Sequence, residues 1–92
     1  MHVTEIGEAA FEKCTSLSEI TLPPNLTEIG EEAFSECPSL TEIILPPNLT
    51  KVGRSAFNGC ASLSVIVLPA GPVDVGTYAF RNCPGTPRRP GD

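Results

Sequence analysis

Sliding the 92-residue sequence along itself by 23 residues brings like residues into register along nearly its whole length, and no other feature limits the possible folds as much. Ile6-Gly7 falls on Ile29-Gly30, Val52-Gly53 and Val75-Gly76. Ala10-Phe11 falls on Ala33-Phe34, Ala56-Phe57 and Ala79-Phe80, and Cys14 falls on Cys37, Cys60 and Cys83. The other half of the unit occurs three times: Leu17, Ile20, Leu22 and Pro23; then Leu40, Ile43, Leu45 and Pro46; then Leu63, Ile66, Leu68 and Pro69. No gap or insertion is needed between residues 3 and 83. A unit this short cannot bury its own apolar side, so it must stack on its neighbours.

Within each unit, Leu-x-x-Ile-x-Leu-Pro reads as a short strand that proline stops by removing the next backbone donor. Turn formers follow at the same place each time: Pro23-Pro24-Asn25, Pro46-Pro47-Asn48 and Pro69-Ala70-Gly71. A second apolar pair, Leu26 with Ile29 or Leu49 with Val52, leads to a Gly that is expected to adopt a conformation other residues resist. Ala-Phe then forms a turn or a short 3-10 or helical segment, and Cys ends the lap. Parallel strands of successive laps would lie roughly 4.8 Å apart, giving an ordered body on the order of 15–20 Å long in which Phe11, Phe34, Phe57 and Phe80 form a spine.

Charge narrows the function classes. The net charge of −5 argues against nucleic acid, whose phosphates require a basic face. Residues 1–46 hold nine Glu and one Lys, a net of −8, whereas residues 47–92 hold four Arg, one Lys and two Asp, a net of +3. No stretch approaches the roughly 18 apolar residues of a membrane span, so no membrane insertion is expected. The opening Met1-His2-Val3-Thr4-Glu5 lacks the basic and then apolar regions of a signal peptide.

The pattern Leu-x-x-Ile-x-Leu-Pro-x-x-Leu-x-x-Ile-Gly-x-x-Ala-Phe-x-x-Cys, read from Leu17 to Cys37 and again from Leu40 to Cys60, resembles the BspA-like, or Treponema-type, leucine-rich repeats. The resemblance covers residues 3 to 83, about nine tenths of the chain. It implies a leucine-rich-repeat solenoid with a short parallel β-strand in each repeat, and turns and short 3-10 or helical segments on the other side. It also implies a protein-binding or adhesive role at a cell surface or in secreted form. The chain departs from the family in its few repeats and in lacking recognisable end caps. The expected organisation is a solenoid of about 3.5 repeats over residues 1–83, followed by a disordered Pro/Arg/Gly tail over 84–92.

Candidate binding residues are the outward positions of the strand face, where a rigid ladder displays unlike side chains. Glu19, Glu42 and Val65 form one column and Thr21, Ile44 and Val67 the other, so the face grades from polar to an apolar patch of Ile44, Val65 and Val67. On the far face, Glu28, Lys51 and Asp74 alternate in sign, as register aids more than sites.

Cys14, Cys37, Cys60 and Cys83 share one inward column whose side chains run parallel, so packed free thiols are expected and no disulfide. No Cys-x-x-Cys occurs and His2 is the sole histidine, so no metal or other cofactor is implied. The sequons at Asn25 and Asn48 recur because the repeat recurs. Pro84-Gly85-Thr86-Pro87-Arg88-Arg89 matches a Pro-x-x-Pro-x-Arg ligand, although a solvated end is the simpler reading. Nothing resembles a catalytic set or a phosphate loop. The expected role is therefore an interaction or adhesion module for a protein ligand, within a longer surface protein. The competing expectations are a structural unit that self-associates head to tail, and a repeat fragment with no function of its own.

Overall fold

The protein, seen in a computed structural model, is described over residues 4–90. Each 23-residue lap is one turn of a solenoid, and successive laps pair as parallel strands along two sides. One sheet contains β1 (Glu5–Ile6), β2 (Glu28–Ile29), β4 (Lys51–Val52) and β6 (Asp74–Val75), in the order β1-β2-β4-β6. The other contains β3 (Glu42–Ile44), β5 (Val65–Val67) and β7 (Pro87–Arg88), in the order β3-β5-β7. The sequence predicts one strand per repeat; the structure has two from the second lap onward. The second arises because Thr-Glu-Ile and its equivalents carry one inward aliphatic residue on a stretch just long enough to pair, as in Ile29 opposite Val52.

The predicted ladders are in place. Phe11, Phe34, Phe57 and Phe80 stack with centroids 5.2, 5.0 and 5.3 Å apart and rings within 8° of parallel. Leu26, Phe34, Leu40, Ile43, Phe57, Leu63 and Ile66 are completely buried. Burial falls off toward the first lap, where Phe11 is 36% exposed, because an end lap has a neighbour on one side only.

The far side is built wholly from turns, with no helix among the described residues. Two positions in each lap are left-handed: Ala9, Glu32, Ser55 and Tyr78 at one, and Lys13, Glu36, Gly59 and Asn82 at the other, with φ between 55° and 81°. These residues prevent helical continuation and alternate the direction of the backbone donors. In the second lap, Ala33 and Ser35 N–H donate three residues back to Gly30 and Glu32, while Glu32, Phe34 and Glu36 N–H reach Arg54, Ala56 and Asn58 of the next lap. The laps are thus bonded together along the turns as well as along the sheets.

The glycines after each short strand serve a different purpose from the one expected. Gly30, Gly53 and Gly76 do not have positive φ; a β-carbon at Gly53 would lie 2.6 Å from the carbonyl carbon of Gly30. They are present because two backbones approach too closely for a side chain.

Of the tail expected to be disordered over 84–92, the described residues 84–90 instead fold back, and Gly91 and Asp92 lie outside the described residues. Pro87 and Arg88 pair with Ile66 and Val67, and Leu68 N–H donates to Arg88 O at 2.7 Å. The link is two residues short, since Ile66 and Pro87 are 21 apart whereas Ile43 and Ile66 are 23 apart. Gly85 makes the shortcut possible, as a β-carbon there would overlap the Ser64 carbonyl group. The Arg89 guanidinium donates to Pro69 O at 2.7 Å and Gly71 O at 2.6 Å. These contacts supply the ordering energy that a count of apolar residues in the tail does not anticipate, and they add a third strand to the β3-β5 sheet.

Candidate functional site

Alternation along β3 and β5 turns Ile43 and Ile66 into the core and Glu42, Ile44, Val65 and Val67 outward. The register sets Glu42 beside Val65 and Ile44 beside Val67, so both predicted columns exist over these two laps. Ile44 is 56% exposed and Val65 38%, whereas Val67 is half-buried beside Arg88 of β7. The apolar patch is therefore smaller than the sequence suggests and centres on Ile44 and Val65.

The first lap departs from the repeat. Its segment 19–22, with Glu19 and Thr21 exposed, forms no strand, although residues 42–44 and 65–67 at the same position do. Ser18 O accepts from the N–H and hydroxyl of Thr41 at 3.2 and 3.4 Å, and beyond that point no ladder joins segment 19–22 to β3. A cavity of about 470 Å³ opens between them, with Glu19, Ile20 and Thr21 on one bank and Glu42 and Ile44 on the other. The structure thus brings four of the six predicted face residues, Glu19, Thr21, Glu42 and Ile44, around one slot and leaves Val65 and Val67 on the paired strand beyond it. Nothing in the repeat pattern distinguishes Leu17–Leu22 from Leu40–Leu45, so sequence reasoning misses the slot.

The remaining columns are occupied internally. Cys37, Cys60 and Cys83 Sγ donate to the carbonyls of Phe11, Phe34 and Phe57 at 3.2, 3.1 and 3.1 Å, so the cysteine column is a hydrogen-bond ladder as well as packing. All four thiols are free. Burial pushes the Cys37 thiol above its ordinary range. Contact with the Cys83 sulfur, followed by burial, pushes Cys60 up, and the same contact draws Cys83 down.

Thr27 and Thr50 hydroxyls donate to Thr4 and Thr27 carbonyls at 3.0 and 3.2 Å, binding lap to lap. Glu28, Lys51 and Asp74 are in register, yet no ion pair closes between them. Asn25 and Asn48 are exposed in turns. The Pro-x-x-Pro-x-Arg string has Pro87 in a strand and Arg89 tied to backbone carbonyls, so it is not displayed as a free polyproline ligand. No group of His, Cys, Asp or Glu among the described residues could hold a metal ion, and His2 lies outside them.

A leucine-rich-repeat protein from Bacteroides ovatus, known from its crystal structure, superposes with a TM-score of 0.85 at 30% identity, over 94% of this chain and 28% of that one. The T. pallidum leucine-rich-repeat protein superposes with a TM-score of 0.72 at 32% identity, over 86% of this chain and 48% of that one. The chain therefore spans less than half the length of either. Among curated proteins none matches the sequence. The family model described as "BspA type Leucine rich repeat region (6 copies)" matches residues 1–86. With that match over nearly the whole chain and the solenoid to go with it, the chain belongs to the BspA-type leucine-rich-repeat family.

Proposed function

We propose that this chain is a protein-interaction module that binds through the strand face around Glu19, Thr21, Glu42, Ile44, Val65 and Val67, and that it acts in adhesion at a cell surface as part of a longer protein. The observation that carries the reading is the exposure of Ile44 and Val65, large aliphatic side chains at diagonal positions on a rigid parallel ladder, with Glu42 beside Val65 and Glu19 across the slot. An apolar centre with a charged rim is the usual anatomy of a protein interface. The surface role rests on the family, and the longer protein on the greater length of the similar structures.

The competing reading, copies stacked head to tail, is less favoured. β7 presents Pro87 and Arg88 at the far edge of its sheet, and proline and charge at an edge discourage further pairing. Binding to immobilised extracellular-matrix proteins is the test, comparing the wild type with the Ile44→Lys/Val65→Lys double variant and with Lys51→Glu on the opposite sheet. We expect the double variant to lose at least about tenfold in affinity while Lys51→Glu does not, as a buried apolar anchor outweighs an exposed charge. Equal affinity of all three for every protein bound would remove the strand face from the function.

A further inference from the structure

The β3-β5-β7 sheet has two edges, and the chain treats them differently. β7 is blunted by Pro87, which lacks an N–H, and by Arg88. β3, at the other edge, has neither proline nor basic residue and carries the exposed Ile44. It is not the end of the solenoid, since the first lap lies beyond it and packs on the second through the stack of Phe11 on Phe34. The open edge therefore lies inside the stack, where segment 19–22 stands off from β3 and leaves the slot.

The register says which groups line it. Val65 N–H donates to Thr41 O, and Leu45 N–H to Val67 O. Odd-numbered residues of β3 therefore bond to β5, and alternation turns the N–H and C=O of Ile44 toward the slot. Around these backbone groups stand Glu19 and Glu42, one on each bank, and neither closes an ion pair. Zipping the first lap onto β3 would set the two carboxylates directly opposite each other. A cationic side chain between them replaces that repulsion with attraction.

We propose that the slot takes an extended peptide segment of a partner protein as an added strand on β3, a segment in which Lys or Arg alternates with aliphatic residues. The backbone of the segment pairs with the free groups of Ile44, its cationic side chains lie on the outward face between Glu19 and Glu42 with their aliphatic stems against Ile44, and its aliphatic side chains turn inward to meet Ile20. Main-chain bonds provide affinity and alternate side chains specificity, as in other strand-addition complexes. This proposal rests on the strand face being the binding surface and specifies how it binds.

The probe is a blocked hexapeptide of alternating Lys and Val, titrated into the full chain by calorimetry beside three relatives: the Glu-Val equivalent, and two versions N-methylated on one or the other alternate set of residues. We expect the Lys-Val peptide to bind, the Glu-Val peptide to bind at least about tenfold more weakly, and N-methylation of at least one set to weaken binding about tenfold, since it removes donors on the edge facing β3. In the protein, Glu19→Gln/Glu42→Gln is expected to weaken the Lys-Val peptide about fivefold without lowering the melting temperature, as both residues are exposed. Failure of the Lys-Val peptide to bind at millimolar concentration, or equal affinity for the Glu-Val peptide, overturns the proposal. Undiminished binding by both N-methylated versions overturns it too. If Ile44→Lys/Val65→Lys still abolishes binding of matrix proteins after such a failure, the strand face stands and only strand addition is lost.

Discussion

Gly53→Ala separates two explanations for the glycine that recurs after each short strand. If the residue were needed for positive φ, the cost would come from backbone strain. In the structure Gly53 is free of it, and the obstacle is the preceding lap: a β-carbon would lie 2.6 Å from both Gly30 C and Glu31 N, where ordinary contact begins at 3.4 Å. The laps must part by the difference, 0.8 Å. That would stretch the bond from Gly53 N–H to Ile29 O, now 2.7 Å, to the limit of hydrogen bonding. Overpacking of this kind costs about 1–3 kcal/mol, the weakened hydrogen bond about 1 kcal/mol, and the stiffer unfolded chain returns about 0.4–1 kcal/mol. The net loss is about 1–4 kcal/mol, a fall in melting temperature of roughly 4–30 °C for a domain this size. Thermal unfolding followed by circular dichroism measures it, with Gly7→Ala as the control because nothing lies within 4 Å of its β-carbon position. Gly53→Asn adds a second discriminator, as asparagine tolerates left-handed backbone yet brings the same β-carbon. Wild-type stability of Gly53→Ala, or clear rescue by Asn relative to Ala, would refute close approach as the reason.

The phenylalanine spine predicts unequal costs from equal truncations. Phe34→Ala, fully buried between two rings, should cost about 3–5 kcal/mol in urea unfolding, and Phe11→Ala, 36% exposed with one ring neighbour, about 1–2 kcal/mol; equal losses would mean that the stack contributes nothing position-dependent. Among the thiols, iodoacetamide should label Cys83 first, Cys14 next, and Cys37 and Cys60 only on unfolding, as read by mass spectrometry of digests, since Cys83 is half-buried and drawn down while the central pair is buried and pushed up. Cys37, raised when folded, contributes stability that is complete below the ordinary thiol value of 9.0; the unfolded chain ionises first as pH climbs past it, so Cys37→Ala should flatten the loss of stability above pH 9.0 in denaturation at several pH values.

Much of the fold was legible because a repeat converts one local pattern into many identical constraints. The aliphatic columns, the phenylalanine spine and the outward pairs Glu42–Val65 and Ile44–Val67 follow from strand alternation and a period of 23, and all are present. Less was legible where the local conformation is set by the neighbouring lap. The left-handed turn positions hold Ala, Glu, Ser, Tyr, Lys, Gly and Asn, a set with no shared chemistry, because bonds to the next lap impose the conformation. The glycines were found from sequence but for the wrong reason, since close approach and positive φ select the same residue.

The candidate site divides in the same way. Its residues could be listed from the repeat, but not the slot among them, because Leu17–Leu22 and Leu40–Leu45 share a pattern that does not tell which of them zips onto the adjoining lap. The tail illustrates the point from the other end. Its proline, arginine and glycine composition reads as disorder, yet Arg89 finds two carbonyls and Gly85 allows a two-residue shortcut against Ser64. The sequence by itself determined the solenoid, because burying a short apolar face requires stacking and stacking follows the period. Tertiary structure alone decided which backbone edges are paired and which stand open, because pairing depends on the adjoining lap and no residue carries that information alone.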